Sequence, residues 1–238
     1  MNFGILTTLH EPLLPFYLKS LENISEINTF VFIANVSQQT KEKDLELYKE
    51  RTNNYFSLDK ISFEKENSFN FIFVKNHNSE LTRKIIKKNK IKYLFNGGTP
   101  SKINLNLINS CRGIINIHPG ILPNYAGCNC VEWALLNNDP VGITAHFMDK
   151  NYDSGPIISK KHINLSLCKT YEDIRIKVYL ETIKMMRYIL MQILKKNINI
   201  KPQEKTKAFF KILSSGQIKT LKSKILNKTL KFNEKNIF

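Results

Sequence analysis

The chain has 238 residues, 42% hydrophobic and 24% charged, a globular composition that excludes a disordered polymer and predicts one domain with at most a small appendage. Lysine and arginine number 36 against 20 aspartates and glutamates, a net charge of +16, which points to an anionic partner: nucleic acid, a membrane surface or a phosphorylated small molecule. No apolar run approaches the roughly 20 residues of a membrane span, and four cysteines are too sparse for a disulfide framework. With no basic stretch ahead of the apolar residues in Met1–Thr8, a protein of the reducing cytoplasm, without a signal peptide or membrane partner, is expected. The positive charge has a second reading, because the chain is saturated with Lys, Asn and Ile while arginine, the better phosphate fork, is rare.

In chain order, Asn2–Thr7 reads as a strand, and Glu11–Glu22 as a helix with Leu13, Leu14, Phe16, Tyr17, Leu18 and Leu21 on its apolar face. Thr29–Val36 is a run of β-branched and aromatic residues, the pattern of a buried strand. Gln38–Arg51 follows as a solvated helix, Phe69–Val74 as another buried strand, and Ser79–Asn89 as a helix capped by Ser79. Lys92–Phe95 is a strand that ends in the turn Asn96-Gly97-Gly98-Thr99-Pro100. Lys102–Asn109 reads as a short helix, Gly113–Ile117 as a strand and Val131–Asn137 as a helix. Gly142–Met148 and Pro156–Asn164 are expected to pair as strands, and Tyr171–Ile198 to form a long closing helix.

This succession predicts an α/β fold, a Rossmann-like, mostly parallel sheet with helices on both faces. Residues 1–198 form the domain, and residues 199–238 a short basic extension. Lys201–Phe238 carries ten lysines against two glutamates, half of the net charge. Ligands of such sheets bind at the carboxyl ends of strands, so chemistry is sought after Phe95 and after Ile117. Neither a GxGxxG after the first strand nor a P-loop is present.

The informative stretch is Gly113–Gly127, GIINIHPGILPNYAG. Asn116 and His118 are two apart in a strand and project from one face at its end. Thirty-five residues on, Asp153-Ser154-Gly155 forms a turn between two predicted strands. An Asn–His–Asp trio can donate to an oxyanion, shuttle a proton and orient the imidazole. The loop core holds no Ser or Cys nucleophile, which points to direct transfer to a nucleophile brought by the substrate. Cys128-x-Cys130 lacks the partner pair of a zinc site, and no metal is expected. Trp133 and His146 read as structural. His10 and His77, in loops at strand ends, are placed within reach of a substrate phosphate or on the bare surface.

Asn116-Ile117-His118-Pro119, Leu122-Pro123, Tyr125, Gly127, Gly142-Ile143-Thr144, His146 and Asp153-x-Gly155, in this order and spacing, resemble the formyltransferase family that uses N10-formyltetrahydrofolate. The resemblance is good over Lys92–Ile193 and only a matter of pattern before that. It implies that Asn116, His118 and Asp153 are catalytic. A neutral amine attacks the formyl carbon, Asn116 and His118 hold the oxyanion, and His118 with Asp153 moves a proton toward the departing folate nitrogen. It also implies a folate pocket between the loops Gly97–Ile103 and Met148–Ser154, with Gly97, Gly98, Thr99, Lys102, Ile103 and Tyr152 as contacts. The substrate loop would contribute Pro123, Tyr125 and Gly127. The family often has Arg where this chain has Ala126.

Three acceptor classes compete within that resemblance. A glycinamide ribonucleotide enzyme carries a glycine-rich phosphate loop after its first strand, whereas Thr7–Pro12 has no glycine and one acid. A methionyl-tRNA enzyme carries a C-terminal β-barrel domain, for which about forty residues are too few. Sugar N-formyltransferases fit best, acting on a nucleotide-linked amino sugar. dTDP-4-amino-4,6-dideoxyglucose, an intermediate for surface polysaccharide, is favoured, with a 3-amino isomer or a UDP sugar left open. Lys75 and Asn78, after the third strand, are assigned to the diphosphate. A homodimer is expected, for which Ile218, Leu221, Ile225 and Leu226 could supply contacts, and Gln203–Lys211 could wall the nucleotide side. A basic nucleic-acid binder is the non-enzymatic alternative. It predicts binding that falls steeply with salt and leaves the Asn–His–Asp trio unexplained.

Overall fold

The computed structural model describes residues 1–56, 69–205 and 208–227. The expected extension therefore lies partly outside the described residues. Nine strands and seven helices follow in the order β1 (Asn2–Thr8), α1 (Leu14–Leu21), β2 (Asn28–Ala34), α2 (Gln38–Thr52), β3 (Phe69–Val74), α3 (Glu80–Lys88), β4 (Tyr93–Asn96), α4 (Leu105–Ile108), β5 (Gly113–His118), β6 (Ala126–Gly127), α5 (Cys130–Leu136), β7 (Gly142–Phe147), β8 (Ile157–His162), α6 (Tyr171–Leu194), β9 (Phe209–Phe210) and α7 (Ser215–Leu226) among the described residues.

Seven strands form one sheet, ordered β3-β2-β1-β4-β5-β7-β8. The first five run parallel, and β7 and β8 join antiparallel. The period-2 alternation of strand side chains divides the core in two. Phe3, Ile5, Val31 and Ile33 face the layer of α1, α5 and α6. Leu6, Phe30, Phe32 and Leu94 face the other side, where Ile86 of α3 and Leu107 of α4 complete a second cluster. The α/β, mostly parallel sheet covered on both faces is thus present as expected. No helix among the described residues is long and apolar enough to cross a membrane, and the four cysteines are free.

Helix ends follow local chemistry. Ser79 caps α3 by accepting from the Thr82 amide, and Thr170 with Asp173 forms a reciprocal capping box on α6. Two helices start later than the periodicity suggests. Pro15 falls in the first turn of α1, leaving Glu11 in the preceding loop, and Asn104 caps α4 from the Leu107 amide, so Lys102 and Ile103 stay in the loop.

The extension departs most from its expectation as a small appendage. Its β9 pairs with β6 of the substrate loop, and α7 turns Leu221 and Ile225 into the main core. Ile218, Leu221 and Ile225 are buried within the chain, which removes them as dimer contacts, while Leu226 remains exposed.

A polar network is buried beneath this layer. Glu132 of α5 is fully buried and receives the Tyr171 hydroxyl at 2.6 Å, with Arg175 of α6 at 3.6 Å. Arg175 also donates to the Tyr179 hydroxyl at 2.7 Å. Burial acts to raise the Glu132 carboxyl. Arg175 foremost, then Arg51 and Tyr171, overcome it and hold the group below the usual carboxylate range.

Candidate active site

The carboxyl ends of β4 and β5 and the loop after β7 meet in one cavity of about 300 Å³. It is lined by Asn96, Thr99, Lys102, Ile103, Asn116, His146, Met148, Tyr152 and Asp153, among others. Its position obeys the rule that open α/β sheets bind ligands beyond their strand ends. Asn116 and His118 end β5. The antiparallel register sets His146 of β7 opposite Asn116.

The trio comes together. Asp153 Oδ1 lies 3.3 Å from His118 Nδ1, and its Oδ2 accepts from the Gly127 amide at 2.9 Å. On the far side of the ring, His118 Nε2 is 2.8 Å from the Tyr125 carbonyl oxygen. A carbonyl can only accept, so Nε2 carries a proton in the assigned tautomer. The Nδ1 edge then meets a carboxylate, which is favourable only with a second proton between the two. Burial pushes the His118 imidazolium below its ordinary range, with the Asp153 charge and then the Tyr125 carbonyl acting against it. The pair stands at the edge of the cavity, His118 being buried and Asp153 alone of the two reaching it.

Asn116 is oriented by two neighbours that the sequence reading did not place in the site. Asn96 Nδ2 donates to Asn116 Oδ1 at 3.0 Å, and Asn116 Nδ2 lies 3.2 Å from His146 Nε2. His146 Nδ1 donates to the Phe147 carbonyl at 2.8 Å, which leaves Nε2 as the acceptor. Burial first, and the nearby His118, push His146 down to about 4, so it stays neutral and keeps that lone pair. With Oδ1 committed and one N–H on His146, the second Asn116 N–H is the donor left for a ligand oxygen. The signal for Asn96 and His146 lay in strand register, which one sequence does not print.

The other expected contacts divide. Thr99, Lys102, Ile103 and Tyr152 line the cavity, with Lys102 Nζ 4.9 Å above the Tyr152 ring. Gly97 and Gly98 shape the loop without lining it. Gly98 sits at φ +94°, and a Cβ there would lie 2.2 Å from Glu11 Oε2. Gly127 gives the site its backbone amide. Tyr125 gives its carbonyl, while its ring stacks on Phe210 and its hydroxyl donates to Asp139. Pro123 follows Leu122 in the same loop and is absent from the cavity wall. Asn78 spends its side chain on the folate-side loop, donating to the Lys102 carbonyl and accepting from the Asn104 amide. Lys75 is exposed beyond β3, four strands from β5, about 19 Å at ~4.8 Å per strand. His10 and His77 are buried, on Asp44 and on the Phe32 carbonyl, so the expected reach of His77 to a phosphate is not found. Among the described residues no cluster of potential metal ligands occurs.

Glu11 packs beside this loop. Burial pushes its carboxyl up to about 7, against hydrogen bonds from Tyr48 and the Leu13 amide. A raised acid binds its proton in the folded state, so this contribution to stability is full below about 4.5 and is lost as pH rises through about 7. Glu11→Gln is therefore expected to match the parent near pH 5 and to exceed it by roughly 2–3 kcal/mol at pH 8. Urea denaturation at both pH values checks this, and parallel stability curves would refute it.

Residues 99–188, which contain Asn116, His118 and Asp153, match the formyl transferase family. Over 55 residues the chain is 38% identical to the GDP-perosamine N-formyltransferase of Brucella melitensis. That stretch is 23% of this chain and 21% of the relative, so the chain covers about a fifth of that protein's length. A sugar N-formyltransferase from a Shewanella species shares the fold at a TM-score of 0.62 and 17% identity, over 93% of this chain and 86% of that one. The formyltransferase PseJ from Anoxybacillus kamchatkensis, solved with UDP-4,6-dideoxy-4-formamido-L-AltNAc and tetrahydrofolate, does so at 0.53 and 18%, over 83% and 97%.

Proposed function

We propose that this chain, which carries a formyl transferase domain over residues 99–188, moves the formyl group of N10-formyltetrahydrofolate to the amine of a nucleotide-linked amino sugar. The observation that carries the reading is the His118–Asp153 pair, 3.3 Å apart, with Asp153 and the oriented Asn116 amide both lining a cavity sized for a heterocycle. The wall suits a pterin: it mixes the Ile103 and Met148 side chains with the polar groups of Asn96, Asp149 and Asn151. Thr99, Lys102, Ile103 and Tyr152 would hold the donor, which supplies a formyl group activated on N10.

The residues divide the work. Asn116 donates its free N–H to the negative charge that grows on the formyl oxygen, a contribution of about 3 kcal/mol for a donor of this kind. The His118–Asp153 pair takes the proton that the attacking amine must lose and returns it to the departing nitrogen. A bond forms from amine nitrogen to formyl carbon, the bond to N10 breaks, and the proton ends on N10. Burial of the pair keeps that proton from exchanging with solvent during transfer. Attack needs the neutral amine, so the rate is expected to rise with pH through the amine's own pKa.

dTDP-4-amino-4,6-dideoxyglucose is the first acceptor to test. The loop after β1 lacks a glycine cradle for a terminal phosphate, and a relative is named for a GDP-linked sugar. Lys75 could meet only the distal end of an extended sugar nucleotide. In this reading the catalytic unit is residues 1–198 with the extension docked on it, the protein acts in the cytoplasm, and a homodimer would use surfaces other than the buried face of α7.

The test mixes purified protein with N10-formyltetrahydrofolate and a panel of amines. The panel comprises dTDP-, UDP- and GDP-linked amino sugars, glycinamide ribonucleotide and methionyl-tRNA. One formyl mass gained by a sugar nucleotide, with tetrahydrofolate released, is the expected result. Formylation of the tRNA or the ribonucleotide alone would overturn the acceptor class, and no transfer to any amine would overturn the activity.

A further inference from the structure

The described part of the C-terminal extension returns to the site at two separate points. The first is Asp153. This residue sits at φ +51°, a left-handed conformation that is sparsely populated outside glycine, asparagine and aspartate. Its carbonyl accepts from Gln203 Nε2 at 2.7 Å. Gln203 is itself fixed nearby, because Lys201 and Ile157 exchange backbone hydrogen bonds of 2.8 Å in each direction at the start of β8.

The second point is the loop on the other side of His118. The Phe210 ring lies 5.1 Å from the Tyr125 ring, nearly parallel at 8°. Phe209 and Phe210 pair in register with Ala126 and Gly127, and the Cys128 amide donates to the Phe210 carbonyl at 2.9 Å. The strap is tied down further by Trp133 Nε1 on the Lys211 carbonyl at 2.9 Å and by the Leu213 amide on Asn129 Oδ1 at 3.2 Å. Tyr125 supplies the carbonyl that accepts from His118 Nε2, and Gly127 supplies the amide that donates to Asp153 Oδ2. Every hydrogen bond that fixes the outer side of the His118–Asp153 pair thus comes from a segment the extension holds.

We propose that Gln203 and Phe210 are positioning residues for the transfer reaction, setting the separation and alignment of His118 and Asp153 from outside the cavity. This rests on the function proposed above for the pair. Neither residue lines the cavity, so neither is assigned to substrate. Gln203 holds the peptide that follows Asp153, and Phe210 holds the loop whose carbonyl orients the imidazole. Displacements of about 1 Å at a reacting group cost on the order of a hundredfold in rate, which is the scale on which such a strap acts.

The test compares Gln203→Met, which keeps the length but cannot donate to the Asp153 carbonyl and adds no charge, with Phe210→Ala, Phe210→Tyr and Ile212→Ser. Ile212 lies on the same segment with its side chain 76% exposed and serves as the control. Two readouts are taken: kcat and KM for the transfer, and the ring-nitrogen NMR signals of His118 followed against pH. The charged and titratable groups around that ring are Asp153 and His146, with the Cys130 thiol next to Asp153, all unchanged in these variants. Gln203→Met and Phe210→Ala are expected to lower kcat about 10- to 100-fold with KM for the donor within about twofold. They are also expected to shift the His118 signals and midpoint, while Phe210→Tyr restores both and Ile212→Ser changes neither. Unchanged His118 signals in Gln203→Met and Phe210→Ala would overturn the proposal, as would an equal loss in Ile212→Ser. The NMR arm needs no acceptor, so a parent protein that transfers no formyl group would end the functional reading while this proposal is still decided by the His118 signals.

Discussion

Asp153→Asn is expected to lower kcat by about 10³–10⁴ while the protein stays folded and its KM for the formyl donor stays within a few-fold. The substitution is isosteric. The new amide can keep its oxygen on the Gly127 N–H, where Oδ2 now accepts at 2.9 Å, and turn its NH2 toward His118 Nδ1. That geometry satisfies every hydrogen bond with a neutral imidazole whose Nε2–H still faces the Tyr125 carbonyl. What disappears is the carboxylate that, with His118, receives a proton from the amine and delivers it to the leaving nitrogen. Steady-state kinetics beside a thermal melt separates the two effects. A folded Asp153→Asn protein within about tenfold of the parent rate would remove the pair from the mechanism. Asn116→Ala should be milder, about 10²–10³ in kcat, because it deletes one donor and leaves proton transfer in place.

The largest expected effect on stability lies away from the cavity, at Arg175. Arg175→Met leaves Glu132 fully buried with the Tyr171 hydroxyl and the more distant Arg51 to answer its charge. Removing one partner of a buried ion pair costs about 3–5 kcal/mol, which for a domain of this size lowers Tm by roughly 10 °C. The pair is already imperfect, since Glu132 Oε2 and Arg175 Nε lack hydrogen-bond partners among the described residues. A second replacement, Glu132→Leu, removes the orphaned charge and is expected to recover most of the loss. The double-mutant cycle is read by urea unfolding. Additive losses in the double variant would show that the two groups are not coupled.

The strands were legible because a buried parallel sheet asks for β-branched and aromatic runs. TFVFIA in β2 has few other uses, whereas FNFIFV, which reads as equally buried, forms the edge strand β3 with Phe73 exposed and Val74 its one buried residue. The trio was legible because Asn116 and His118 share a strand face and the Asp153 turn carries its own glycine. The neighbours that orient the trio were not. Asn96, His146 and Gln203 reach their partners across 20, 30 and 50 positions of sequence, through strand order and loop closure rather than local pattern. His10 and His77 show the converse: strand-end histidines look free in a sequence, yet here they are consumed by Asp44 and the Phe32 carbonyl. In the extension the apolar spacing of Ile218, Leu221 and Ile225 was visible, but a helix stripe reads the same whether it faces a second copy or its own core, and here it faces the core.

The pairing of β6 with β9 also fixes when during synthesis the protein can become competent. Its strands are more than eighty residues apart, and a ribosome adding about 5–20 residues per second exposes the sheet and Asn116 well before Phe210. A nascent chain that has emerged only through α6 can assemble β1–β8 but lacks the strap over Tyr125 and the Gln203 amide on Asp153. On the positioning proposed for Gln203 and Phe210, a chain halted short of β9 would be folded in its sheet and slow in its site.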